Sequence, residues 1–380
     1  MQTIKNFFHV CSRLWSWRAR HLSWQSALQR SARYGPPPLF RSITRISRVP
    51  AGATITYLNI LLSVCSWLFA GFLASSLSVL FSGAPAAVAP PPPDALQVQA
   101  VGEEPITPIP APPAADPQKL ALGERLFSDP RLSAAGDVAC SSCHDVRTNG
   151  ADDTEHREEK DAAGTKFNTL TVFNSALSFR LTWRGRFHDL AEQAEASIES
   201  NMHSNLAEVA QRLDSDPETV SQFRVAYERD PDRDNILDAL VTFERSLLTP
   251  DSRFDRWLRG DTSALTPDEL EGYSTFKSLG CISCHQGVNV GGNLFQRIGI
   301  FHPLGQGPAK VMRVPSLRNV AATAPYFHDG SAATLEDAVR RMGSAQLDRD
   351  LTKQQIASLV SFLNTLTGNY RGQPVVGAKP

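Results

Sequence analysis

Two pentapeptides, CSSCH at 140–144 and CISCH at 281–285, constrain this 380-residue chain more than any other feature. Each places two thiols about one turn apart and sets an imidazole directly behind the second. Four of the six cysteines (Cys140, Cys143, Cys281 and Cys284) belong to these motifs, while Cys11 lies in a basic leader and Cys65 in an apolar stretch. Three chemistries use such thiol pairs. A structural zinc site wants four converging ligands, commonly two short pairs at regular spacing. Here the pairs stand about 140 residues apart, and each histidine would go unexplained. A thioredoxin-like redox pair belongs in a βαβ context and does not require the histidine. Covalent haem uses every residue: the thiols add to the vinyl groups and the imidazole turns onto the iron as proximal ligand. The two motifs therefore imply two c-type haems, one on Cys140, Cys143 and His144, the other on Cys281, Cys284 and His285.

Charge and hydropathy place those haems outside the cytoplasm. Residues 1–50 carry nine of the 38 Lys and Arg and no acid, leaving 29 basic side chains against 39 acidic ones in the remainder. That acidic remainder lacks the basic patches of a nucleic-acid binder and suits a basic protein partner. No charge occurs between Arg48 and Asp94, and within that gap runs "YLNILLSVCSWLFAGFLASSLSVLF", residues 57–81. As a helix it would extend about 37 Å, enough to cross a hydrocarbon core of about 30 Å. A signal-peptide core is shorter, at about 7–15 residues. "AVAP" at 87–90 offers a small-residue cleavage pattern, although its Pro hinders processing. An uncleaved anchor is favoured over a cleaved signal on length, and both send the chain beyond it to the periplasm by the positive-inside rule. Eleven prolines between Pro85 and Pro117 then read as a semi-stiff spacer.

Beyond the spacer the apolar pattern is helical. "DNILDALVTFERSLL" and "KQQIASLVSFLNTL" have helical period, and alternating strand-like runs are scarce. "TPDE" at 266–269 and "TKQQ" at 352–355 read as capping boxes. The expected fold class is all-α, with two cytochrome c-type haem domains. The divisions expected are a cytoplasmic leader at 1–50, an apolar anchor or signal at 51–83, and a Pro/Ala-rich spacer at 84–116. A first haem domain would occupy 117–262 and a second 263–380. Apart from the pentapeptide, no internal repeat is visible.

With the motifs placed, "LGERLFSDPRLS", "WRGRFHDLAEQA", "CHQGVNVGGNLFQRIG" and "RVPSLRNVAATAPYFHDGSAATLEDAV" make residues 117–370 resemble the bacterial di-haem cytochrome c peroxidases, a family that includes the MauG-like enzymes. The resemblance implies that the first haem reacts with hydrogen peroxide. The second would accept electrons from a small redox protein, a cytochrome c or a cupredoxin. It implies Met342, fourteen residues past His328, as sixth ligand of the second haem, a pairing that raises the potential and suits electron transfer. MauG-like enzymes have Tyr there. Trp183 matches an electron relay between the haems and Gln193 a distal-pocket glutamine. Asn168, Thr323 and Pro325 match a calcium site between the domains, with oxygen donors suited to a hard cation. Arg313 and Arg318 match partners for haem propionates, and a homodimer is compatible with the likeness.

Two positions depart from the family pattern. The distal histidine that caps the resting first haem falls on Lys160, with His156 four residues away, so an open first haem is expected. Twenty residues beyond Trp183, where the family has a proton-handling glutamate, stands His203. A histidine can serve as general acid and base in the same role, while Glu199, one helical turn earlier, is the alternative carboxylate. Two rivals stand beside the peroxidase: a MauG-like oxidase of a protein substrate, and a di-haem electron carrier without catalysis, which the departures at Lys160 and His203 keep open.

Overall fold

A computed structural model describes residues 104–152, 167–304 and 310–377. The leader, the apolar segment at 57–81, His156 and Lys160 lie outside the described residues. Among the described residues no helix is long and apolar enough to cross a membrane.

Nine α-helices carry the described fold: α1 (Pro117–Phe127), α2 (Leu190–Ser200), α3 (Leu206–Asp214), α4 (Pro217–Tyr227), α5 (Arg233–Ser246), α6 (Arg253–Leu258), α7 (Pro267–Ser278), α8 (Leu335–Leu347) and α9 (Lys353–Asn364). Every one starts at an Asp, Asn, Ser or Thr whose side chain accepts a hydrogen bond from a first-turn N–H. Those N–H groups have no intrahelical partner, so the cap supplies one. Thr266 and Thr352 form the expected capping boxes with Glu269 and Gln355. The helical expectation omitted four short strands in two antiparallel pairs, β1 (Phe295–Arg297) with β2 (Val311–Arg313) and β3 (Asn369–Tyr370) with β4 (Gln373–Pro374).

The helices build two cores that repeat one arrangement. In the first, α1 crosses α5 with Gly123 against Ala239 and Phe243; a Cβ there would stand 2.0 Å from the Ala239 carbonyl oxygen. In the second, α7 crosses α9 with Gly272 against Ser358 and Phe362, and a Cβ would stand 2.0 Å from the Ser358 carbonyl oxygen. Each crossing is so close that only glycine fits. Each pentapeptide then forms a 3₁₀ turn, Cys140–Ser142 or Cys281–Ser283. The histidine N–H closes it by donating to the first cysteine's carbonyl, at 2.9 Å for His144 and 3.0 Å for His285. The chain thus repeats in three dimensions far beyond the pentapeptide.

The spacer expectation needs a correction. Packed structure is present well before Asp116, because Ile106 and Ile109 are buried at 1% and 2% exposure. Pro105 accepts from Gly287 N–H at 2.8 Å, and Ile109 N–H donates to Asp255 at 3.2 Å. This strap lies on the second core. At the other end the C-terminal segment returns to the first, where Val375 joins the core and Arg371 makes a two-pronged contact with Glu124 on α1.

Candidate active site

Residues of both pentapeptides line one continuous cavity of about 1060 Å³. Its lining includes Cys140, Cys143 and His144 from the first motif, His285 from the second, and Trp183 and Met342. Leu335, Ala338, Val339, Met342 and Gly343 all line it, which is one face of α8 at helical spacing. Both histidines are held the same way: Nδ1 of His144 lies 3.1 Å from the Gly150 carbonyl and Nδ1 of His285 lies 3.2 Å from that of Val290. A hydrogen bond at Nδ1 leaves Nε2 free as a ligand atom. Burial lowers the pKa of His144 and takes that of His285 to about 4, so both rings are neutral, as ligation requires.

The walls suit haem. The Cys140 and Cys143 thiols line it, an imidazole enters from each pentapeptide, the volume is large, and the lining is mostly apolar. Arg313 is buried in the wall, where its side-chain Nε donates to the Thr182 carbonyl at 3.0 Å; no carboxylate pairs with it among the described residues. Burial lowers its pKa to about 10, still a cation at neutral pH, so it can meet an acidic side chain of an occupant. The zinc alternative lacks support, since no group of three or more His, Cys, Asp or Glu is placed to hold a metal among the described residues.

Trp183 is buried and held from two directions. Its indole N–H donates to the Asn168 carbonyl at 2.7 Å, and its own carbonyl accepts from Arg313 N–H at 2.9 Å. Asn168 is in turn tied to the second domain. Its backbone N–H donates to the His328 carbonyl at 2.7 Å, and its side-chain nitrogen lies 2.6 Å from the Pro325 carbonyl. Asn168 Oδ1 is buried without a partner. The oxygen and nitrogen of an amide are assigned by their surroundings, and the flipped amide would turn Oδ1 onto the Pro325 oxygen, an arrangement that calls for a cation between them. Thr323 lines the same cavity.

Two expected residues are placed otherwise. Gln193 lines the cavity, bonded to Ser197 Oγ at 2.7 Å. His203 is exposed and is not among the lining residues, because α2 ends at Ser200 and His203 takes a left-handed backbone (φ 52°) that turns the chain away. Glu199, on the last turn of α2, does line the cavity. Arg318 is also committed elsewhere. It lines the cavity, but its guanidinium forms a fully buried ion pair with Asp255 at 2.8 Å and donates to the Thr107 and Val288 carbonyls. One lining residue went unnoticed in the sequence, Glu244 on α5, buried with Oε2 unpartnered. Its signal was available: a carboxylate on the apolar face that also carries Leu237 and Leu240.

Comparison with known proteins agrees with this geometry. The family model described as di-haem cytochrome c peroxidase matches residues 117–263, and that of cytochrome c matches 270–367. A cytochrome c551 peroxidase of Nitrosomonas europaea is 40% identical over 283 residues, covering 70% of this chain and 85% of that protein. Its counterpart in Pseudomonas aeruginosa is 38% identical over 273 residues, covering 66% of this chain and 79% of that one. A crystal structure of a MauG-like protein associated with microbial copper homeostasis superposes with a TM-score of 0.60 at 26% identity, covering 68% of this chain and 93% of that one. With both motif histidines on one cavity and relatives of this identity over most of their length, the chain belongs to the di-haem cytochrome c peroxidase family.

Proposed function

We propose that this protein reduces hydrogen peroxide to water in the periplasm with electrons from a small redox protein, a cytochrome c or a cupredoxin. The observation that carries the reading is the single cavity joining His144, Trp183, His285 and Met342. Cys140, Cys143 and His144 would hold one haem within 117–262, and Cys281, Cys284, His285 and Met342 the other within 263–380. Bound there, the haems would supply two irons of different character, one to react with peroxide and one that His285 and Met342 would hold and suit to electron transfer.

The chain's own groups then have separate tasks. Arg313 orients an occupant through its acidic edge. Trp183, fixed by its two hydrogen bonds, offers an aromatic bridge in the cavity wall. Gln193 positions peroxide by hydrogen bonding. Splitting the O–O bond needs a proton moved from the near oxygen to the far one, and Glu199 at the cavity wall is the group that carries it. Its position and the outward turn at His203 support this choice. Asn168, Thr323 and Pro325 would bind one calcium ion, which the unpartnered Asn168 oxygen supports. The basic leader and the apolar segment at 57–81 would anchor the protein in the inner membrane, and a homodimer remains compatible with this reading.

Rapid mixing of half-reduced holoprotein with stoichiometric peroxide, followed by haem absorption, tests the proposal. The wild type should react fast, Glu199→Gln should slow it about 100-fold or more, and His203→Ala should stay within about threefold of wild type. A collapse in His203→Ala with Glu199→Gln intact would return the proton role to His203. No fast reaction in the wild type would leave an electron carrier. Similarity to the MauG-like structure favours a second reading, oxidation of a protein substrate; in that case peroxide would oxidise the haems but reduced cytochrome c would not be consumed.

A further inference from the structure

Tyr273 stands on α7, ahead of the second pentapeptide, with 2% of its surface exposed. Its ring lies edge-on to Trp257 at 5.7 Å between centroids and 5.0 Å from Phe362. Phe362 is 5.1 Å from Phe276, which is 6.4 Å from the imidazole of His285. A run of rings with no gap above 6.4 Å therefore leads from Trp257, which is half-buried, to the proximal ligand of the second haem. Tyr273 and Trp257 are its oxidisable members.

Tyr273 also has a proton acceptor. Its hydroxyl donates to Glu104 on the N-terminal strap at 2.5 Å. The Glu104 side chain is 9% exposed and pairs with Lys277 at 3.3 Å, and the Lys277 ammonium lies 4.3 Å over the Tyr273 ring. A phenol that loses an electron becomes a strong acid, so an interior tyrosine is readily oxidised only where a base can take its proton. Burial first, and then Glu104, push the Tyr273 phenol upward, which keeps it protonated until an electron leaves.

We propose that Tyr273 and Trp257 form an escape path for oxidising equivalents, used when peroxide has reacted and no donor protein is bound. The inference rests on the peroxidase reading. Reducing peroxide to two waters takes two electrons and two protons. In half-reduced protein one electron is already held by the second haem, and Tyr273 supplies the other through Phe276 and His285. Its O–H bond breaks, the electron goes to the oxidised haem, and the proton goes to a Glu104 carboxylate oxygen, leaving a neutral tyrosyl radical and a carboxylic acid. Trp257 then returns an electron to the tyrosyl, which takes its proton back from Glu104. At the surface Trp257 is restored by a one-electron reductant of the phenol or ascorbate class. The path spares Met342 and the haems from oxidation.

The test is freeze-quench electron paramagnetic resonance on half-reduced holoprotein given one equivalent of peroxide without donor, with haem absorption recorded in parallel. Wild type should give an organic radical that narrows when tyrosine is ring-deuterated. Tyr273→Phe should lose it, and Glu104→Gln, which can still accept the hydrogen bond but not the proton, should cut its yield at least tenfold. Trp257→Phe should keep the tyrosyl signal and lengthen its life several-fold. Under repeated peroxide without donor, haem absorbance in Tyr273→Phe should bleach several-fold faster. A radical of equal yield in Tyr273→Phe, or full yield in Glu104→Gln, overturns the path while the absorption change upholds the peroxidase. No absorption change in the wild type overturns both.

Discussion

Glu244 lies on the buried side of α5 and lines the cavity with Cys140, and burial alone pushes its carboxyl up to about 8. Folded protein therefore keeps a proton that unfolded chain, with the ordinary value of 4.5, has released. The stability tied to this group is full below about 4.5 and is lost as pH rises through about 8. At about 1.4 kcal/mol per pH unit, the loss across that window is on the order of a few kcal/mol. Glu244→Gln carries no charge at any pH, so its melting temperature should fall less than that of wild type between pH 5 and pH 8. Calorimetry of both holoproteins at the two pH values checks this, and equal slopes would count against a neutral buried Glu244. The same scale shows what local pattern could and could not give. The pentapeptides announce their chemistry because all their roles lie within five residues. The proton-handling group does not, since counting twenty residues from Trp183 treats the chain as a straight ruler. The end of α2 at Ser200 and the left-handed turn at His203 change where each side chain points.

Elements were legible to the extent that their ends are chemical. An Asp or Thr before Pro at 116–117, 216–217 and 266–267 supplies both a cap and a preset first residue, and each does begin a helix. What pairs with what was not legible, because a glycine inside a helix reads only as a weak point. Gly123 and Gly272 earn their places through contact with another helix's backbone, which no local pattern records. An added methyl at either must push a carbonyl oxygen aside. Gly272→Ala should therefore cost roughly 1–3 kcal/mol, as overpacking does, despite alanine's better helix propensity. Gly377→Ala, where the nearest atom is 3.6 Å away, should stay within about 0.5 kcal/mol. Chemical denaturation of the two variants measures the difference.

At the scale of the whole described unit, each core is closed by chain from the far end of the sequence, and the N-terminal strap depends on one buried charge. Asp255 is fully buried, pairs with Arg318, and also accepts from Ile109 N–H; Arg318 donates onward to Thr107. A Pro-rich composition reads as a spacer because it cannot form a core of its own, but it can lay two isoleucines onto a core built by others. That is why the boundary at 116 fell too late. The strap also carries Glu104, so whatever holds it governs the surroundings of Tyr273. Asp255→Asn keeps the shape of the pair while leaving a buried guanidinium uncompensated, which should cost about 3–5 kcal/mol. Because the strap shares that site, the loss should not be spread evenly: residues 104–109 should become cleavable by protease at temperatures where α1 and α5 remain intact. Limited proteolysis with mass mapping, run beside a melting curve, separates the possibilities. Early cleavage at the strap with the first core preserved fits a strap clamped by Asp255 and Arg318. Simultaneous loss of both cores would mean that the pair supports the second domain as a whole and that the strap only follows it.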